Sequence, residues 1–250
     1  MFYRILDRIG RRLAKALNKP HRHYECFSAV PAGVLRQIMR PGDVLLVDGS
    51  SRVSTAIKYL TQSTWSHSAL YVGDALADRF EGEDRTLVEA DIAEGVVAVP
   101  LVRYEAFNTR ICRPVDLTGE DTGRVVAFVV ERLGHEYDLK NIVDLARYLL
   151  PVPPLPSHLR RRILAFGSGD PTRAICSTLI AQAFQSISYP ILPRYGFACG
   201  DNPGEVPEEE VLRARHFSHF TPHDFDLSPY FRVIKPTLEK GFDYKTLKWK

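Results

Sequence analysis

Five short β-patterned runs crowd into one stretch of this chain, at residues 43–47, 66–73, 86–90, 95–100 and 109–113. The first, Asp43-Val44-Leu45-Leu46-Val47, opens after a Pro41-Gly42 turn and has the apolar character of a buried strand. The second, Ser66 to Gly73, alternates and stops at Gly73-Asp74. Strands in such quick succession predict a small antiparallel sheet or barrel. Between the first two, Ser50 or Ser51 can cap a short helix over 52–59.

Helical patterns then take over, which makes the fold class α+β. Residues 119–133 carry Val125, Val126, Phe128, Val129 and Leu133 on a face expected to be buried, and further helices are expected over 138–149 and 176–186. The Pro151-Val152-Pro153-Pro154-Leu155-Pro156 stretch excludes regular structure and leads into Arg160-Arg161-Arg162 and a Gly167-to-Pro171 turn. Residues 139–175 therefore read as an insertion placed to act as a lid. The chain's 250 residues, 45% hydrophobic and 25% charged, suffice for one substantial core. Its four cysteines show no close pairing, which argues against a disulfide framework or a structural zinc site.

Charge is unevenly spread. Residues 1–40 hold nine arginines and lysines against Asp7 and Glu25, a local +7 within an overall +3. This basic arm precedes a mildly acidic body over 41–235 and a tail over 236–250. An overall +3 is too small for a dedicated nucleic-acid binder. Within the arm, Phe2, Ile5, Leu6, Ile9, Leu13 and Leu17 recur at helical spacing between basic residues. Such an amphipathic helix can lie in an anionic headgroup layer or dock on its own domain. No apolar run reaches the ~20 residues that span a bilayer, and no secretory signal follows Met1, so the expected location is cytoplasmic, with peripheral contact at the inner membrane face.

Three residues stand out chemically. Cys176 begins an apolar-periodic helix directly after a Gly/Pro-rich turn, where a helix N-terminus favours thiolate over thiol; a buried, inert cysteine is the competing reading. His67 occupies a strand position where a hydrophobe or threonine is the ordinary occupant. Glu89 lies on the next strand, with Asp91 as a rival that alternation cannot separate, since both point to one face. Imidazole can take the thiol proton and the carboxylate can fix the ring. Trp65 and Tyr71, on either side of this motif, are candidate walls for an acyl chain, although aromatics more often pack in cores. His216, His219 and His223, with Cys199 upstream, invite a metal reading, but Thr221-Pro222 breaks the helix that would align them; no metal or other cofactor is expected.

The ordered segments Pro41-Gly42-Asp43-Val44-Leu45-Leu46, Trp65-Ser66-His67-Ser68-Ala69, Val88-Glu89-Ala90, Gly134-His135-Glu136-Tyr137-Asp138, Cys176-Ser177-Thr178-Leu179-Ile180 and Thr221-Pro222-His223-Asp224-Phe225 resemble the circularly permuted branch of the NlpC-type papain-fold cysteine hydrolases. That branch includes YiiX- and YaeF-like proteins and is related to lecithin retinol acyltransferase-like enzymes. The resemblance implies Cys176 as nucleophile, His67 as general base and acid, and Glu89 as the residue orienting His67. It also implies a Tyr137 hydroxyl near the nucleophile, assisting an oxyanion hole otherwise formed by the Cys176 backbone N–H. Permutation explains why His67 and Glu89 precede Cys176, since such sites are defined by geometry and not by chain order.

The leading expectation is a cysteine hydrolase of amide or ester bonds acting through a thioester on an acylated or lipid-linked substrate. An acyltransferase using the same residues, and a non-catalytic lipid- or partner-binding module, stay open alternatives. The oligomeric state is not legible.

Overall fold

The structure is a computed structural model that describes residues 26, 30–91, 94–135, 175–197, 210–213, 215–239, 241–243 and 245. Its centre is a six-stranded sheet of β1 (Val44–Val47), β2 (His67–Tyr71), β3 (Arg85–Asp91), β4 (Gly95–Pro100), β5 (Thr109–Pro114) and, much later in the chain, β8 (Phe231–Ile234). The strand order is β4-β3-β2-β1-β5-β8 and every neighbouring pair is antiparallel. The sheet is open, so the barrel alternative does not hold: β4 and β8 form its two edges. A separate hairpin joins β6 (Arg194–Phe197) to β7 (Glu210–Arg213).

Both faces of the sheet are covered, which is why β1 reads as continuously apolar. Val44, Leu46, Leu70 and Val88 pack against α3 (Gly119–Val130) through Val125 and Val129, and against α4 (Ile175–Ser186) through Ile180 and Phe184. Leu45, Val47, Ala69, Tyr71 and Leu87 point the other way, onto α1 (Ala32–Ile38) and a 3-10 turn at Leu101–Tyr104. Leu35 of α1 is fully buried there, so the packed body begins ahead of residue 41 and takes in the end of the basic arm. The rest of the arm lies outside the described residues, as do 136–174, which hold the second expected helix and almost all of the insertion.

Local chemistry sets the helix limits. For α2 (Arg52–Thr61), Ser51 and not Ser50 is the cap, its hydroxyl accepting from Ser54 N at 3.1 Å. Thr118 caps α3 in the same way, with Glu120 and Asp121 in the first turn favoured by the helix dipole. α3 stops at Val130, short of the expected Leu133, because Gly134 adopts φ 83° and its N–H turns to Val96 O at 2.8 Å. The late segments are a 3-10 turn at Phe217–His219, α5 (Pro222–Leu227) and α6 (Pro236–Glu239). Aromatic edge contacts tie β8 to α4: Phe184 and Phe231 lie 5.2 Å apart between ring centroids.

Candidate active site

His67 is the first residue of β2 and Glu89 the fifth of β3. In the ladder Glu89 faces Ala69, so it shares a sheet face with His67 but stands two residues along from it. The longer glutamate side chain closes this gap, and His67 Nε2 meets Glu89 Oε2 at 3.1 Å. Asp91 lies beyond it, and its Oδ1 accepts from Glu94 N at 3.0 Å in the turn to β4. Tertiary reach therefore separates two carboxylates that strand parity leaves equivalent.

Cys176 is the second residue of α4 and only 4% exposed. Its thiol lies close enough to the His67 ring for the two to act on one another by charge and hydrogen bonding. With Nε2 committed to Glu89, the nitrogen left for sulfur is Nδ1. Ser68, next in β2, places its backbone and its hydroxyl near the thiol; the Ser68 Oγ makes no hydrogen bond of ordinary geometry, but it lies close enough to favour the thiolate. Amides in a helix's first turn have no intrahelical acceptor, which leaves the Cys176 N–H able to meet an oxyanion.

The electrostatics run along this chain of contacts. Burial pushes the Cys176 thiol up, but the charge and hydrogen bond of His67, with help from Ser68, outweigh it and bring the thiol below its ordinary value. Burial acts against the charged form of His67 too, and Glu89 and Cys176 together raise it well above the usual imidazole range. Glu89 is held below the usual carboxylate range against its own burial by His67, Arg103 and Tyr104. Thiolate and imidazolium thus support one another, the state a nucleophilic cysteine requires.

A cleft of about 350 Å³ opens over these residues. Val47, Val53, Ile57 and Phe107 make one wall apolar, and Ser50, Ser51 and Ser54 line another part with hydroxyls. The loop that carries the serines is anchored by Asp48, which accepts from Lys58 Nζ at 2.6 Å and from Asn108 Nδ2 at 3.1 Å. Gly49 within it is closely packed: a Cβ there would come within 2.3 Å of Ser54 Oγ and 2.8 Å of Ser66 Oγ.

Trp65 and Tyr71 are not among the cleft's walls, a correction to the expected lining. Trp65 donates from Nε1 to Asp226 Oδ2 at 2.9 Å, beneath the Arg110 guanidinium, and belongs to the core under α4. Tyr71 sits in the opposite core with Leu35 and Leu87. Tyr137 lies outside the described residues, as do Cys199 and the Arg160-to-Arg162 run. His216 Nδ1 is within 2.8 Å of Ser218 Oγ, and among the described residues no group of three or more His, Cys, Asp or Glu side chains could hold a metal ion. Sequence reasoning missed Tyr104, whose hydroxyl donates to Glu89 Oε2, and Arg103, whose Nη1 is 3.7 Å from Oε1. Both sit in a short turn with no periodicity or motif to mark them.

A thiol at a helix start, an imidazole and carboxylate on adjacent strands, and strands that precede the helix make this a permuted papain-like fold. Residues 38–148 match the model of the family described as permuted papain-like amidase enzyme, YaeF/YiiX, C92 family. The matched span contains His67, Glu89, Arg103 and Tyr104 and ends before Cys176. That match supports a hydrolase of the cysteine peptidase or amidase kind. Among solved structures, the metalloprotein yiiX from Escherichia coli is 17% identical, with a TM-score of 0.46 over 78% of this chain and 96% of that one. No curated protein matches the chain.

Proposed function

We propose that the chain is a cysteine hydrolase that cleaves an amide or ester bond of an acylated or lipid-linked substrate through a thioester. The carrying observation is the connected series Cys176, His67 and Glu89 in one cleft. Cys176 Sγ attacks the carbonyl carbon as thiolate, and the developing oxyanion meets the Cys176 N–H. The bond to the leaving amine or alcohol breaks as the His67 imidazolium donates its proton to that group. Neutral His67 then takes a proton from water, the resulting hydroxide attacks the thioester, and the acid departs with Sγ restored as thiolate. Glu89 holds the ring through Nε2 in both halves of the cycle. Tyr137 is a proposed second oxyanion donor on the strength of the family motif.

The apolar wall of Val47, Val53, Ile57 and Phe107 suits an acyl chain beside the thiol. A basic arm that meets anionic headgroups would bring the enzyme to such substrates. Among the described residues no helix is long and apolar enough to cross a membrane.

The test is incubation with acyl-amide and acyl-ester probes of graded chain length, comparing the native protein with Cys176→Ala. Free acid from the native protein alone supports hydrolysis. A new ester or amide in place of free acid would make the enzyme a transferase, and product formation by Cys176→Ala at the native rate would remove the nucleophile assignment.

A further inference from the structure

Glu89 is an awkward residue with which to orient a histidine. It stands opposite Ala69, not opposite His67, and reaches its target diagonally through a side chain with three rotatable torsions. The carboxylate is 1% exposed, so water does little to hold it in place. Among the described residues, the charged and titratable groups that act on it are His67 from β2, Arg103 and Tyr104 from the 3-10 turn, and Cys176 from α4 through His67. Asp91 on its own strand and Glu94 in the next turn act on Arg103.

These partners divide the carboxylate. Oε1 faces Arg103 Nη1 at 3.7 Å, too far for a hydrogen bond, and the Arg103 side chain is 41% exposed at the cleft. Oε2 receives both His67 Nε2 and the Tyr104 hydroxyl. Arg103 therefore offers charge with little directional control, while Tyr104 offers a directed donor at the oxygen that serves His67. Burial and the Glu89 charge raise the Tyr104 hydroxyl well above its ordinary value, so it remains a donor throughout the neutral range.

We propose that Tyr104 is a positioning residue of this site, its hydroxyl fixing Glu89 Oε2 so that the carboxylate stays ionised and aimed at His67 Nε2. The proposal deepens the reading of Cys176 as a nucleophile activated by His67, and it rests on that reading. Tyr104 acts at two removes from sulfur, through Glu89 and then His67, and touches no reacting atom. Its ring also meets His67 and Phe107, with centroids 6.0 and 6.1 Å apart, and phenylalanine keeps those contacts while removing the donor.

The experiment is the pH dependence of Cys176 carboxamidomethylation by iodoacetamide, mapped by mass spectrometry, in the native full chain, Tyr104→Phe, Glu89→Gln and the double variant. In the native protein the midpoint is expected below that of an ordinary thiol. Tyr104→Phe should raise it by about half to one pH unit, roughly three- to tenfold less thiolate at fixed pH below the midpoint. In the Glu89→Gln background the same change should move it by no more than about a fifth of a unit, because the hydroxyl acts through the carboxylate. A depressed native midpoint that Tyr104→Phe leaves in place would overturn the positioning role alone, and so would an equal shift in both backgrounds, which would mark a packing effect. A native midpoint at the ordinary thiol value would instead overturn the nucleophile reading. Thermal unfolding of all four proteins identifies any variant that fails to fold, and Tyr104→Trp, which restores a ring donor, should recover part of the shift if the donor is what matters.

Discussion

Glu89 meets His67 across a ladder in which the two residues are not partners: Glu89 pairs with Ala69, yet its Oε2 lies 3.1 Å from His67 Nε2. The extra methylene that distinguishes glutamate from aspartate lets a residue two ladder positions away orient the ring.

Glu89→Gln should therefore lower turnover of an acyl probe by at least about tenfold, since a neutral amide cannot stabilise the imidazolium. Asp91→Asn should stay within about twofold, because Asp91 accepts from Glu94 N in a turn and an amide oxygen can do the same. Steady-state kinetics of the two variants side by side checks the pair, and equal losses would sink the assignment.

The opposed shifts of Cys176, below its ordinary value, and His67, above its own, define a bell-shaped profile for kcat/KM. Activity should rise on an acid limb set by thiolate formation and fall on an alkaline limb as the imidazolium loses its proton, above the usual ~6.5 of histidine. In His67→Ala the thiol loses its strongest thiolate-favouring partner and burial outweighs what Ser68 still supplies, so the alkylation midpoint of Cys176 should move above the ~8.5 of a free thiol. Cys112, whose thiol burial pushes up, should stay unmodified in the folded protein.

Asp43 and Arg113 make a structural ion pair outside the cleft's lining. Arg113 donates from Nε to Asp43 Oδ1 at 2.8 Å and from Nη2 to Oδ2 at 2.7 Å, and Asp43 is 1% exposed. Arg113→Met leaves a buried carboxylate without its cation and should cost about 3–5 kcal/mol in urea unfolding at neutral pH. Burial already raises the folded-state pKa of Asp43 above the ordinary aspartate value, so the folded state takes up this proton more readily than the unfolded one. Without Arg113 that value rises further, so the deficit of Arg113→Met should shrink as pH falls from the variant's value toward the native one. A deficit independent of pH would argue against the Asp43 origin.

Gly49→Ala tests the serine-bearing loop. The new Cβ would come within 2.3 Å of Ser54 Oγ and 3.0 Å of Ser54 Cβ, and both Ser54 and Ser66 are held by hydrogen bonds. We expect a loss of about 1–3 kcal/mol in stability, the usual range for overpacking, accompanied by reduced turnover. Unchanged unfolding and kinetics would show that the loop yields freely.

Residues 1–20 can be tested apart from the site. Their removal should weaken sedimentation with anionic phosphatidylserine vesicles while leaving turnover of a soluble acyl probe unchanged. Equal vesicle binding by both forms would assign the apolar stripe of the arm to packing.

The sequence by itself determined the strands from Val44 to Pro114, the start of the Cys176 helix and the common parity of Glu89 and Asp91, because period, turn residues and caps are local properties of the backbone. Local rules did not reveal β8, whose four residues join the sheet by pairing with β5 from more than a hundred positions away. Only the tertiary structure decided between Glu89 and Asp91, brought Tyr104 and Arg103 onto the carboxylate, and withdrew Trp65 into a core where Asp226 holds it. Those outcomes depend on how far a side chain reaches across a ladder and on which distant groups share its burial. Periodicity reports which face a residue takes, and the fold decides what it meets there.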